Sequence, residues 1–220
     1  MSKISLKHSG GNVVSINSPT SAPTSADVAF KLPNQDGSAS EALITDGSGN
    51  LSFASVAGGK ILQVVQGGSN VASSQSVASK ATADTGIQVS ITPSSASSKI
   101  LVIATISGAA SAVINNWAMT LQKKTGSGSF ASLTAANGAV DGNRSQSISG
   151  TRMHSIYSMY HVNFNFLDTG GSTDTLIYRA AYFNHSGGTR TLYINRSSDD
   201  LNNNDYTRGA SWIQALEVAA

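Results

Sequence analysis

The segment from Gly86 to Ile103 constrains the fold of this chain more than any other. Ile87, Val89 and Ile91 alternate with Gln88, Ser90 and Thr92, the two-residue period of a strand with one buried face. Pro93 has no N–H to give to a sheet ladder, and the serines around it favour a turn, so the strand stops there. Lys99-Ile-Leu-Val-Ile-Ala104 then runs apolar on both faces, which is the pattern of an interior strand.

The same grammar continues to the end of the chain. Strand patterns recur at Asn116–Gln122, from Ile156 to Leu167, and at Thr175–Phe183, Arg190–Asn195 and Ala210–Val218. Thr125-Gly-Ser-Gly128, Asp168-Thr-Gly-Gly171 and His185-Ser-Gly-Gly188 have the glycine-rich chemistry of hairpin connections. In the long strand, Tyr160, Val162, Phe164 and Phe166 fall on one face, expected to be core. His161, Asn163 and Asn165 fall on the other. No segment keeps a 3.6-residue apolar period, so almost no helix is expected. The expected fold is all-β, with residues 85–220 forming an antiparallel, jelly-roll-like sandwich. Only Phe30 and Phe53 precede Trp117 among the aromatic residues, which places the main core in the C-terminal two thirds.

Residues 1–57 read differently. Val13-Val-Ser-Ile16, Val28-Ala-Phe-Lys-Leu32 and Leu51-Ser-Phe53 are short strand-like pieces. Asn17-Ser-Pro19, Pro23, Pro33-Asn-Gln-Asp-Gly37 and Asp46-Gly-Ser-Gly-Asn50 punctuate them. A piece this small and poor in aromatics does not bury a core alone, and a short β segment intertwined with symmetry mates is expected. Residues 58–84, with Gly58-Gly59, Gly67-Gly-Ser-Asn70 and a Ser/Ala stretch, read as a linker holding one strand, Lys60–Val65.

Composition narrows the functional classes. Charged residues are 12% of the chain and hydrophobic ones 40%. About 25% charge is usual in globular domains, so the surface is neutral and rich in hydroxyls and amides, or is hidden against copies of the same chain. A net charge of +2 with no basic run beyond Lys123-Lys124 does not suit nucleic-acid binding, which needs a concentrated stripe of Lys and Arg. Cysteine is absent, which removes disulfides and thiolate metal sites. There is no apolar run of membrane-spanning length, and Met1-Ser-Lys-Ile-Ser-Leu-Lys-His8 lacks the apolar region of a secretory signal.

Few residues group into chemistry. His154 and His161 lie seven apart and point to opposite faces of a regular strand, so they do not share a ligand, and neither metal nor cofactor is expected. Asp200, Asn202 and Asn204 have the 1, 3, 5 spacing of a calcium loop, but Asp205 stands at its glycine position and Ser211 at its closing glutamate. An Asn/Asp-rich connection between strands is the expected meaning. Asp200, Asn202, Asn204 and Tyr206, at the end of the sandwich, are the candidate contacts for a glycan. Tyr157, Tyr178, Tyr182, Tyr193 and Tyr206 cannot all be buried; they are read as core rim and subunit contact, or as a patch that stacks on sugar rings. No nucleophile elbow or phosphate loop is present, and Gly126-Ser-Gly128 is a hairpin turn. Catalytic residues are therefore not assigned, and the chain is not expected to be an enzyme.

Several phrases resemble a family of virion appendage proteins of tailed phages, especially marine ones. They are Gly59-Lys-Ile-Leu-Gln-Val-Val65, Gly86 to Ile103 with its Thr-Pro-Ser-Ser-Ala-Ser-Ser-Lys-Ile-Leu wording, and Ala215-Leu-Glu-Val218. Leu6-Lys-His-Ser-Gly-Gly-Asn12, Phe30-Lys-Leu-Pro33 and Asp46-Gly-Ser-Gly-Asn-Leu51 are similar to a module recurring in marine phage fibre and other virion proteins. The resemblance implies a structural protein located in the virion, a homotrimeric tail-fibre-like appendage. Residues 1–57 would meet other virion proteins, and the head would contact host-surface polysaccharide during adsorption. A capsid decoration or head-fibre protein at a three-fold site is the alternative, followed by a soluble lectin or a polysaccharide-cleaving enzyme. No nucleic acid and no membrane insertion is implied.

Overall fold

The computed structural model describes residues 3–7, 9–11, 13–17, 20–21, 29–55, 59–112 and 116–220. Among these there is no α-helix, only one short 3-10 turn at Thr134–Ala136. Contacts divide the chain between Ala57 and Gly58 into two compact units, at the boundary expected from composition.

The first unit holds two hairpins. Strands β1 (Lys3–Lys7) and β2 (Val13–Asn17) pair antiparallel, as do β3 (Glu41–Thr45) and β4 (Leu51–Ser55). The turn between β3 and β4 organises itself. One carboxylate oxygen of Asp46 accepts from the N–H groups of Ser48 and Asn50 at 2.8 and 3.1 Å, and the other accepts from Asn50 Nδ2 at 2.6 Å. These bonds, the Asn50 side chain foremost, hold the Asp46 carboxyl below its ordinary pKa. The strand expected over Val28–Leu32 begins outside the described residues. From Ala29 onward it makes a single bridge, with Lys31 N–H donating to Gly49 O and Leu51 N–H to Lys31 O, both at 2.8 Å. Pro33 removes the next donor and ends the pairing. The turns expected at Ser18-Pro19 and Pro23 lie outside the described residues. None of the side chains described in this unit is buried, and Ile16, Phe30 and Leu32 are 73%, 62% and 78% exposed.

The second unit is an antiparallel sandwich. Its strands are β5 (Ile61–Ser69), β6 (Ser73–Val77), β7 (Thr82–Ile91), β8 (Lys99–Ala110), β9 (Asn116–Thr125), β10 (Ala131–Ser132), β11 (Ser149–Arg152), β12 (Tyr160–Asp168), β13 (Leu176–Phe183), β14 (Arg190–Ile194) and β15 (Ser211–Val218). One sheet runs β7-β13-β9, with β10 and β11 following one another along the free edge of β9. The other is built on β8, the longest strand. β12 lies along one side of it, and β15 then β14 lie along the other, themselves paired to β5 and β6.

The reading of residues 58–84 as a linker is corrected here. β5 pairs along the whole of β15, β6 pairs with β14, and β7 already begins at Thr82. Glycine and serine in this stretch reflect close packing and solvent exposure. Gly67 lies so close to β7 that a Cβ there would meet the Gln88 carbonyl oxygen at 1.9 Å, so only glycine fits. The long strand also starts later than its pattern, at Tyr160. The Tyr160 hydroxyl accepts from the N–H groups of His154 and Ser155 at 2.6 and 2.8 Å, which satisfies a loop backbone where a strand continuation would have placed ladder bonds.

Between the sheets Ile87, Val89 and Ile91 meet Ile100, Val102, Ala104 and Ile106, with Trp117, Met119, Leu121, Val162, Phe164, Leu192 and Ile213 around them. Tyr178 and Tyr182 belong to this core and are fully buried, so they are not part of an exposed tyrosine patch. Tyr182 stacks on Trp117 with ring centroids 5.7 Å apart. The Tyr178 hydroxyl instead donates to Asp168 Oδ2 at 2.6 Å. Lys123 Nζ reaches the same oxygen at 2.6 Å and Gly170 O at 2.9 Å. Burial first, and then this bond to a carboxylate, push the Tyr178 hydroxyl far above its ordinary pKa.

Candidate functional site

The four residues expected to meet a glycan stand on the connection from β14 to β15, and the structure separates their roles. Asn195, fully buried, starts this loop in a left-handed conformation with φ 61°. Its Nδ2 donates to Ser69 O at 2.8 Å and Val71 O at 3.0 Å, and its Oδ1 accepts from Ser211 Oγ at 2.6 Å. The two ends of the loop are thereby tied to β5 and to each other. Sequence reasoning missed Asn195. Its left-handed position is one that Asn tolerates, but nothing local distinguishes it from its neighbours in an Asn-rich stretch.

Asp200 is a staple inside the loop. Its carboxylate pairs with Arg196 at 3.3 Å and with Arg208, and its side chain is only 11% exposed. A carboxylate used twice by guanidinium groups has little left for a sugar hydroxyl or a calcium ion. Arg196 in turn lies over the Tyr193 ring, 4.8 Å from its centroid. Tyr206 is half-buried, and its hydroxyl donates to Asp199 Oδ2 at 3.1 Å. Partial burial and that carboxylate raise its pKa. Tyr157, 62% exposed, meets the Tyr206 ring edge-on at 6.5 Å. Asn202 and Asn204 are exposed, and their amides make no hydrogen bond with the described residues. Two of the four expected residues, together with Tyr157, thus make a small neutral patch of free amides beside an aromatic face. Asp200 is excluded from it, and Tyr206 serves as its support.

One serine meets a histidine. Ser107 Oγ lies 2.8 Å from His161 Nδ1. Ser107 is buried, its hydroxyl also reaches Ala210 O at 3.1 Å, and no carboxylate partners the other ring nitrogen. A nucleophile needs access to its substrate and an oriented base, so this contact is a peg between β8, β12 and the start of β15. Among the described residues, no group of three or more His, Asp or Glu is placed to hold a metal ion.

A second convergence is built on a buried carboxylate. Glu217, in the last strand, is fully buried. Ser94 N–H and Oγ donate to its Oε1 at 2.7 and 2.6 Å, Gln63 Nε2 donates to its Oε2 at 2.7 Å, and Ser98 adds a further side-chain bond. Gln63 also donates to Thr92 O at 2.7 Å. Burial raises the Glu217 pKa, but these donors outweigh it and bring it from 4.5 down to about 2. Gly59–Val65, the Pro-Ser turn and Ala215–Val218 therefore end at one carboxylate, which closes the base of the sandwich.

Against models of known protein families the chain matches none, and no curated protein matches it significantly.

Proposed function

We infer that this chain is a structural protein of a tailed-phage virion, a homotrimeric fibre-like appendage that contacts the host surface. The observation that carries this reading is the contrast in burial. Residues 1–57 form a compact unit in which no described side chain is buried and Ile16, Phe30, Leu32, Leu43 and Ile44 stand exposed. Exposed apolar surface of this kind marks an interaction site. The occupants that fit it are equivalent residues of two further copies and the protein that anchors them. The resemblance to phage appendage modules supports the same assignment; in this chain its C-terminal phrases converge on the Glu217 network.

Two features of the sandwich add support. The sequence of strands β6, β7, β8, β9, β11, β12, β13, β14 pairs as β6-β14-β8-β12 and β7-β13-β9-β11. That order supports a jelly roll, to which β5 and β15 are additions. The outer face of the β8 sheet also carries no charge through its centre. Leu167, Leu101, Leu216 and Val64 form one cross-strand row, and Asn165, Ile103, Gln214 and Gln66 the next. Around a three-fold axis identical residues face one another, so a charge-free face is what such an axis tolerates.

Light scattering on the full chain tests the assembly, and three times the 22.6 kDa chain mass is expected. Immunogold labelling of purified particles tests the location. Label at the tail agrees with the appendage reading, label over the head moves the protein to capsid decoration, and absence from particles overturns the virion assignment. Adsorption follows from many copies of weak contacts acting together, with the Tyr157, Asn202, Asn204 patch as one contact to surface polysaccharide.

A further inference from the structure

A charged concavity of the sandwich has no residue of the β14–β15 loop in its lining. A cleft of about 470 Å³ opens beside β9 and β11, a size that takes one or two sugar residues. Lys80, Arg144, Arg152 and His185 line it, with Asn116 and Asn143 among the neutral polar groups between them. No Asp or Glu is in its lining. Asp141 pairs with Arg144. Three of the chain's 14 Lys and Arg residues thus meet in one place, in a protein whose surface is otherwise nearly neutral.

The individual groups are poised for a ligand. Arg152, at the end of β11, is exposed and makes no ion pair or side-chain hydrogen bond with the described residues. Lys80 is held in place, its N–H donating to Asn184 O at 3.1 Å and its Nζ to His185 O at 2.7 Å. That leaves two ammonium protons for another acceptor. His185 is packed edge-on against Phe183 at 4.9 Å, and its Nε2 is buried without any hydrogen-bond partner.

We propose that this cleft binds an acidic polysaccharide, with Arg152 and Lys80 holding its carboxylate or sulfate groups and the flanking amides meeting its hydroxyls. No Phe, Tyr or Trp lines the cleft, so it lacks the stacking platform that single-stranded nucleic acids use. Three cations, one of them already paired, also fall short of a backbone-tracking groove. Arg and Lys bind carboxylate and sulfate by charge-assisted hydrogen bonds. Amides and hydroxyls suit the sugar between. The proposal deepens the adsorption reading and rests on it only for the surface that bears the glycan.

The test is affinity electrophoresis of the full chain in gels containing alginate, dextran sulfate, neutral dextran or a single-stranded oligonucleotide. Retardation by alginate or by dextran sulfate, and not by dextran, is expected, and the two acidic probes separate carboxylate from sulfate recognition. Arg152→Ala should weaken that binding roughly ten-fold, as loss of one charge-assisted contact would. Lys99→Gln, which removes an equal charge outside the cleft, should change it less than about two-fold. Arg152 is exposed and makes no ion pair or side-chain hydrogen bond with the described residues, so its loss should leave folding intact, and an unchanged melting temperature checks this. Equal retardation by dextran, stronger binding to the oligonucleotide, equal loss in both variants, or no retardation by either acidic probe would each overturn the proposal. If the protein is found on particles yet ignores both acidic probes, the cleft assignment falls alone. If alginate binding persists in a protein absent from particles, the appendage reading falls and the cleft stands.

Discussion

Residues 1–57 and residues 58–220 use similar strand chemistry and reach opposite results. The sandwich buries Trp117, Tyr178, Tyr182 and a full set of Ile, Leu and Met side chains between two sheets. The N-terminal unit makes two hairpins, pins the turn of the second with Asp46 and Asn50, and buries no side chain among those described. A two-stranded hairpin is marginal in water unless its apolar face is covered. Local hydrogen bonding therefore specifies the turn of the second hairpin, while on the proposed reading further copies cover Ile16, Phe30, Leu32, Leu43 and Ile44. The sandwich needs no such help.

The sharpest way to break this contrast is to remove one large side chain from each unit. Trp117→Ala empties a site at the centre of the sandwich and should cost about 3–5 kcal/mol. Phe53→Ala removes a half-buried ring that rests against Gly37 and should cost under about 1 kcal/mol. Lys123→Ala gives a second large effect by a different mechanism. It strands the Asp168 carboxylate, 6% exposed, with only the Tyr178 hydroxyl, and about 3–5 kcal/mol is expected. Urea unfolding followed by circular dichroism, which reports the strands of both units, reads all three. A small loss for Trp117→Ala, or a large one for Phe53→Ala, would mean that the two units do not differ as their burial indicates.

Glu217 sharpens the same comparison through pH. Its folded pKa is depressed from 4.5 to about 2, so between those values the unfolded chain binds the proton that the folded chain refuses. Stability from this carboxylate is complete above about pH 4.5 and is lost as pH falls toward about 2. Glu217→Gln should cost roughly 1–3 kcal/mol at pH 7, because hydrogen bonds to a charged acceptor become neutral ones. It should also flatten the acid limb of the stability profile. Acid titration followed by circular dichroism checks both; an unchanged acid limb in the variant would remove Glu217 from its role as the clasp of the strand ends.

How far the sequence could be read follows from which interactions are local. The alternation at Ile87, Val89 and Ile91, the Pro93 break, and the two faces of β12 are visible in consecutive residues, and the structure has them where they were expected. The strand read over Lys60–Val65 lies within β5, but β6 and the pairing of this stretch into the sandwich were hidden, because β5 and β6 are held by partners about 150 and 115 residues away, and Gly67 is small to admit the Gln88 carbonyl. At the candidate site, the exposure of Asn202 and Asn204 could be read from an Asn-rich loop. The capture of Asp200 by Arg196 and Arg208 depends on the loop's folding back on itself. The basic cleft was invisible for the same reason: Lys80, Arg144, Arg152 and His185 are scattered singly along the chain, and only β9, β11 and the turns beside them gather them. Likewise Gln63, Ser94, Ser98 and Glu217 read as separate phrases until the strands bring them to one carboxylate.

The smallest change in stability should accompany the largest change in assembly. Phe30→Ser with Leu32→Ser replaces two side chains that contribute no burial within the chain, being 62% and 78% exposed. The folded monomer should lose no more than about 0.5 kcal/mol, since removing exposed apolar surface costs little where nothing is packed against it. If residues 1–57 are completed by copies of themselves, each substitution acts at three equivalent places. The scattering mass should then fall from the trimer to the single chain at the same concentration. A trimer that survives would place the assembling surface on the sandwich, where the row Leu167, Leu101, Leu216 and Val64 is the face to change next. Leu167→Lys would set three like charges against one another there, with little effect on a free monomer because Leu167 is 47% exposed. The two variants therefore divide the molecule by function: whichever one dissociates the trimer identifies the unit that assembles, and leaves the other free to bind.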